Sequence, residues 1–274
     1  MKWARVEQAG QVHFGQVRGA RILLGDGDPI VGQWTAGVEV DLASVKLLVP
    51  VWPRTFYAAG FNYADHVIEQ ARIAGTKPNI PEKPDIGYRA NNALIASGEA
   101  IVKPTDAGEL FQYEGELVAV IGRTARHVSE AEALAYVFGY TIGNDVSERT
   151  WQNSDRTLWR AKNTDTFSPM GPWIETDVDL AALTTTVRLN GRQVISFKTN
   201  NMLFGVARYI SAMSRYLTLY PGDVIWMGAE GDAENMVPGD LCEVEISGIG
   251  TLTNPVVVQH ESGRVQEATA AEEA

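Results

Sequence analysis

At 274 residues with a 45% apolar composition, the chain can bury a substantial core, as one elaborated domain or as a large domain with a small appendage. A formal net charge of −11 opposes any role resting on attraction to a phosphate backbone, so nucleic acid is not expected as a partner. No run approaches the roughly 20 consecutive apolar residues that span a bilayer, and the opening Met1-Lys2-Trp3-Ala4-Arg5-Val6-Glu7 has no apolar signal core, so a cytoplasmic protein with no membrane partner is expected.

Residues 1–50 read as short β segments divided by glycines, such as Arg21-Ile22-Leu23-Leu24 before Gly25-Asp26-Gly27-Asp28-Pro29, and predict a small N-terminal β domain. Longer apolar runs begin at Val51-Trp52-Pro53, opening a larger domain over residues 51–260. Asn62 to about Ala74 predicts a helix followed by the Gly/Pro-punctuated stretch Gly75 to Pro81, a helix-then-loop pattern suited to a lid. Leu117–Ile121 predicts a strand. Ser129-Glu130-Ala131-Glu132 has capping-box spacing for a helix reaching Gly139, although a strand-like run from Tyr136 to Ile142 overlaps it. Asn190-Gly191 between two β runs predicts a type I′ hairpin. Leu203, Val206, Ala207 and Ile210 have helical spacing that predicts a core-facing helix. Pro221-Gly222-Asp223 and Pro238-Gly239-Asp240 precede the strands Val224–Met227 and Leu241–Ile246, and Leu252–Val258 predicts the last strand. The acidic, alanine-rich residues 261–274 are expected to be disordered. No internal repeat is present. The single cysteine, Cys242, lies in an apolar-alternating run and reads as a buried strand residue rather than a nucleophile.

Chemistry concentrates in two short blocks. Glu114-Gly115-Glu116 opens the run Leu117-Val118-Ala119-Val120-Ile121, which as a strand has Glu114, Glu116, Val118 and Val120 on one face and Leu117, Ala119 and Ile121 on the other. Two carboxylates entering a strand apolar on both faces require a cation or several donors, unless they sit on a solvated strand end. Asp145, in Gly143-Asn144-Asp145-Val146-Ser147, reads by itself as a turn or cap residue. Joined to the glutamates, it completes a hard, anionic oxygen set of the kind that suits Mg²⁺ or Mn²⁺.

These blocks, in this order, resemble the metal-binding signature of the fumarylacetoacetate hydrolase superfamily. The resemblance extends from Gly60-Phe61-Asn62-Tyr63-Ala64-Asp65-His66, through Ala161-Lys162-Asn163-Thr164-Asp165, Gly171-Pro172-Trp173 and Pro221-Gly222-Asp223-Val224-Ile225, to Gly248-Ile249-Gly250-Thr251-Leu252-Thr253-Asn254-Pro255, about 70% of the chain. It implies a β-rich α+β fold, a mixed β-roll catalytic domain with peripheral helices and a small N-terminal β domain, and a homodimer. It further implies that Glu114, Glu116 and Asp145 hold Mg²⁺ or Mn²⁺, with Ca²⁺ as a possible crystal substitute. Lys162 would be catalytic, Arg149, Gln152 and Tyr63 would bind a small anionic oxo acid, and His66 would be a base oriented by Glu69 one helical turn away. His13, His127 and His260 have no such context.

The implied activity is metal-dependent hydrolysis of a C–C bond in a 1,3-dicarbonyl or 2-oxo acid. The same site would serve an isomerase, tautomerase or decarboxylase, and a non-catalytic ligand-binding homologue is a third reading, opposed by the retention of His66, Glu69 and Lys162. Two departures stand out. Trp226-Met227-Gly228-Ala229 replaces a Thr-Gly-Thr-Pro segment common in the family, and a lysine common before the segment leading to the glutamates is replaced in Tyr88-Arg89-Ala90-Asn91-Asn92. The wall that recognises the substrate carboxylate is therefore expected to be altered.

Overall fold

The computed structural model describes residues 1–259; the expected disorder of residues 261–274 concerns a segment outside them. Strands β1 (Lys2–Gln8), β2 (Gln11–Arg18), β3 (Arg21–Asp28) and β4 (Gln33–Asp41) form an antiparallel meander, and β5 (Lys46–Leu47) returns to pair with β1. The break expected at Gly25-Asp26-Gly27 is absent, because β3 continues through it to Asp28. Its glycines serve close approach instead: a Cβ on Gly25 would lie 2.3 Å from the Thr35 carbonyl oxygen, and one on Gly27 would lie 1.7 Å from that of Gln33.

The larger part of the chain supplies β6 (Phe56–Ala59), α1 (Ala64–Ile73), β7 (Ile86–Tyr88), β8 (Leu94–Ile95), β9 (Ile101–Lys103), β10 (Phe111–Gln112), β11 (Gly115–Ile121) and β12 (Val137–Asn144). After them come β13 (Ser147–Glu148), α2 (Arg149–Gln152), β14 (Ser168–Glu175), β15 (Thr184–Leu189), β16 (Arg192–Lys198), α3 (Val206–Ser214), β17 (Val224–Trp226), β18 (Leu241–Ile246) and β19 (Gly250–Val258). Twelve strands form one mixed sheet along the path β4-β3-β2-β1-β14-β12-β11-β17-β6-β7, with β5 and β8 attached to its side. A second sheet, β16-β15-β18-β19-β9, packs across it. The architecture is the β-rich α+β roll with peripheral helices that the sequence implies, and its small N-terminal part adds strands to the main sheet through the pairing of β1 with β14.

β11 is buried along its whole length and divides two cores. Leu117, Ala119 and Ile121 pack with Val187, Val244 and Leu252 of the second sheet, whereas Val118 and Val120 pack with Met170, Val224 and Trp226. Burying each of its large side chains contributes about 1.5–3 kcal/mol. Together they offset the several kcal/mol that bringing a carboxylate such as Glu116 into this strand costs.

Asn190 and Gly191 have φ of 53° and 76°, as the expected type I′ turn requires, and α3 buries Val206 and Ile210. The helix expected after Ser129 does not form. Ser129 and Glu132 do bond side chain to side chain, but only a 3-10 turn at Ala133–Tyr136 follows, and β12 begins at Val137. Tertiary pairing overrides the local cap: β12 lies between β11 and β14, burying Tyr140 and Ile142, and Gly139 admits β14 so closely that a Cβ there would be 2.6 Å from the Glu175 carbonyl oxygen. Cys242 is buried in β18, and burial pushes its thiol up to about 12, so it packs as a neutral group.

Candidate active site

The ends of β11 and β12 bring three carboxylates together. Glu116 lies opposite Gly143 in the β11–β12 ladder, and the ladder is extended one step by the Asp145 amide donating to the Glu114 carbonyl at 2.9 Å. The Asn144 side chain accepts from the Glu114 amide at 2.9 Å, so both ligand-bearing corners are fixed through the backbone. Gly143 has a steric reason: a Cβ there would lie 2.5 Å from the Trp226 ring, which fills the space next to Glu116. One oxygen each from Glu114, Glu116 and Asp145 lies within 4.8 Å of the other two.

Three cations face this set. Lys162 Nζ donates to Glu114 Oε2 and to Asp145 Oδ2, each at 2.6 Å. Arg149 Nη2 reaches Glu114 Oε1 at 2.7 Å, and the same guanidinium is held by Gln152 and Gln112 at 3.0 and 2.9 Å. Arg89 grips Asp145 with two bonds, Nε to Oδ1 at 3.0 Å and Nη2 to Oδ2 at 2.7 Å. Arg149 and Lys162 reach the site from hydrogen-bonded turns. Glu148 caps α2 by accepting from the Trp151 amide at 2.6 Å, which orients Arg149, and Asp155 accepts from the amides of Arg160 and Ala161, which shapes the loop carrying Lys162.

The electrostatics are unequal across the triad. Burial would raise the Glu114 carboxyl, but Lys162 and Arg149 outweigh it and hold the group well below the ordinary carboxylate range. Glu116 goes the other way: burial, then the charges of Asp145 and Glu114, push it well above its ordinary value. Among the described residues its only hydrogen-bond donor is the Gly228 amide, at 2.7 Å. A buried carboxylate repelled by two others, without a cation of its own and beside further hard oxygens, fits a divalent ion such as Mg²⁺ or Mn²⁺.

A cavity of about 280 Å³ opens over the triad. Arg89, Arg149, Gln152 and Lys162 line it with the carboxylates, while Ala59, Phe61, Leu158 and Ala229 give it apolar surface and His66 closes one side. His66 projects from α1, with its Nδ1 3.0 Å from the Gly231 carbonyl oxygen. Burial, the largest influence, lowers the imidazole below its ordinary value despite the opposing pull of Glu114 and the Gly231 carbonyl. The ring is therefore neutral near pH 7, with the proton on Nδ1 and the Nε2 lone pair free.

Two expected site residues lie elsewhere. Glu69 does not meet His66: its carboxylate is bonded to Arg72 on the outside of α1, with Nε to Oε2 at 2.6 Å, and this lowers its pKa. Residues three apart share a helix face only approximately, and the exposed arginine offers Glu69 a charged partner where the imidazole offers a neutral one. Tyr63 is buried rather than cavity-lining; its hydroxyl donates to the Thr199 carbonyl at 2.7 Å and its ring packs on Phe197. Conversely, Arg89 enters the site unforeseen; the replacement of a family lysine within Tyr88–Asn92 is the signal that points to this segment. The Gly228 amide and the Asn62 side chain were also not singled out. Asn62 ties the start of α1 to the Met227 carbonyl at 2.8 Å and to Phe204, so the helix carrying His66 is anchored to the strand end next to Glu116.

Residues 55–257 match the family model described as fumarylacetoacetate (FAA) hydrolase C-terminal, and residues 1–50 match one described as Rv2993c-like, N-terminal. The chain is 41% identical to Protein Rv2993c of Mycobacterium tuberculosis over 79% of its own length and 80% of that protein. A solved structure of 5-carboxymethyl-2-hydroxymuconate delta-isomerase from Mycobacterium smegmatis superposes with a TM-score of 0.84 at 36% identity, covering 94% of this chain and all of the other. Maleylpyruvate hydrolase from Sphingobium sp. SYK-6, solved with manganese(II) and pyruvate, gives a TM-score of 0.76 at 25% identity over 94% of this chain and 99% of the other. Among the described residues no helix is long and apolar enough to cross a membrane.

Proposed function

The chain belongs to the fumarylacetoacetate hydrolase family, and we propose that it hydrolyses a C–C bond in a small 1,3-dicarbonyl or 2-oxo acid, with Mg²⁺ or Mn²⁺ held by Glu114, Glu116 and Asp145. The observation that carries this reading is the placement of the His66 imidazole and a three-carboxylate set in one cavity. A bound divalent ion would supply polarisation of the substrate carbonyl. The chain's own residues account for the rest. Arg149 and Gln152 orient the anionic end of the substrate, and Lys162 holds Glu114 and Asp145 in register while adding positive charge beside the reacting carbonyl.

His66 Nε2 takes a proton from water as its oxygen bonds to the carbonyl carbon. The C–C bond then breaks, its electron pair leaves with the oxo-acid fragment, and that carbon takes up a proton, giving two acids. The Gly231 carbonyl, rather than Glu69, keeps the imidazole in the required tautomer. A mass-spectrometric screen of acylpyruvates with Mg²⁺ tests the proposal: two acids per substrate consumed are expected, and a product of unchanged mass removes the hydrolase reading. The 36% identity to the isomerase structure supports as second reading an isomerase in which His66 moves a proton between substrate carbons without water.

A further inference from the structure

The two bonds from Arg89 to Asp145 leave that carboxylate an unusual remainder. An ionised carboxylate has about four lone-pair sites. On Asp145, Oδ2 already accepts from Arg89 Nη2 at 2.7 Å and from Lys162 Nζ at 2.6 Å, so both of its sites are filled, while Oδ1 accepts from Arg89 Nε at 3.0 Å and keeps one. Asp145 can therefore offer an ion one oxygen only. Glu114 is engaged on both oxygens, by Arg149 and Lys162, and has one free site on each. Glu116 alone has an oxygen with no donor, Oε1, because the Gly228 amide takes Oε2.

This pattern discriminates between hard cations. Mg²⁺ and Mn²⁺ accept one oxygen from each of a few carboxylates and complete a compact octahedron with water or substrate, whereas Ca²⁺ takes six to eight oxygens and gains from bidentate carboxylates. Arg89 is well placed to enforce the first pattern. Its side chain is 8% exposed and that of Asp145 2%, so both bonds of the fork are shielded from water.

We propose that Arg89 is a selectivity residue of the metal centre: by denying Asp145 bidentate coordination, it favours Mg²⁺ and Mn²⁺ over Ca²⁺. This rests on the three-carboxylate reading above, and its test separates the two. Isothermal titration of the whole chain with MgCl₂ and with CaCl₂ is carried out on the native protein and on Arg89→Lys and Arg89→Gln. Arg89→Lys keeps the charge but has a single ammonium, which can meet only one Asp145 oxygen at a time. Its preference for Mg²⁺ over Ca²⁺ is expected to fall by about tenfold, with Mg²⁺ affinity within about threefold of native. Arg89→Gln removes a nearby cation as well, so both ions bind more tightly and the preference falls too. Thermal melts establish that each variant is folded, and Arg89→Lys keeps the test in hand if the glutamine variant is not. An unchanged ion preference in the folded variants overturns the proposal, as does a parallel loss of both ions, which would make Arg89 merely a clamp on Asp145. Failure of the native chain to bind either ion removes the metal reading itself.

Discussion

The two walls of the cavity are built on opposite principles. The carboxylate wall belongs to β11 and β12, in the middle of a twelve-stranded sheet, and its side chains are fixed by backbone ladders and cross-linked to Arg89, Arg149 and Lys162. The facing wall is α1, ten residues with only Val67 and Ala71 buried, followed by a largely exposed loop that carries Gly75, Pro78, Pro81 and Pro84. The first has the rigidity that ion binding demands, and the second has the few buried contacts expected of a segment that opens locally. On the proposed function, ion binding and base chemistry would be separated in space, and substitutions on the two walls should fail in different ways.

The largest effect is expected on the rigid wall. Glu116→Gln should abolish divalent-ion binding and with it turnover, while the fold persists, because the neutral amide relieves the repulsion from Asp145 and Glu114. Titration calorimetry beside a thermal melt checks this, and full turnover by the variant after EDTA treatment would defeat the metal assignment. In the native protein, saturating metal should raise the melting temperature by linkage.

On the helical wall, His66→Ala should lower turnover by about a hundredfold or more, the loss typical of a missing general base, and leave ion affinity near native. A pH profile sharpens the contrast. The folded-state pKa of His66 is depressed, so its base form predominates at neutral pH and is lost as pH falls through a value below the ordinary 6.5. Log turnover should therefore bend downward on the acid side of 6.5, and that bend should vanish in His66→Ala; its survival there would assign it to another group. Opening of the wall is a smaller effect: with Mg²⁺ present, oxalate should slow hydrogen exchange over residues 62–84, and unchanged rates would argue against a closing lid. The smallest effect belongs to Glu69→Gln, expected to change turnover by less than about fivefold, since an exposed ion pair with Arg72 contributes little. A loss matching that of His66→Ala would restore Glu69 to the reacting group.

The same division decides what could be read from residue order alone. The continuous apolar run Leu117-Val118-Ala119-Val120-Ile121 reads as a strand buried on both faces, which leaves the glutamates either at a solvated end or in need of a cation or several donors. Motif resemblance then joined Asp145 to them. At α1 the local rules misdirected: a spacing of three suggested a bond between His66 and Glu69, but whether Glu69 turns inward or toward Arg72 depends on which charge waits on each side. Tyr63 was misplaced for a related reason, since a motif marks proximity to a site and not the direction of a side chain. The cap at Ser129 was a sound local signal overruled by strand pairing, which acts between residues far apart in sequence. Arg89 was legible as a departure, but its grip on Asp145 required the register between β7 and β6 to be known.

The pairing of β1 with β14 has a consequence outside the chemistry. Cutting the chain at Val51, near where the two family models meet, would strip the meander from the sheet and bare the edge of β14 at Ile174 and Glu175, the positions that pair with Trp3 and Lys2. Such an uncovered margin is a template for stacking one chain on the next. Removal of the first fifty residues is therefore expected to promote self-association, and light scattering is where it should show before any change in ion affinity.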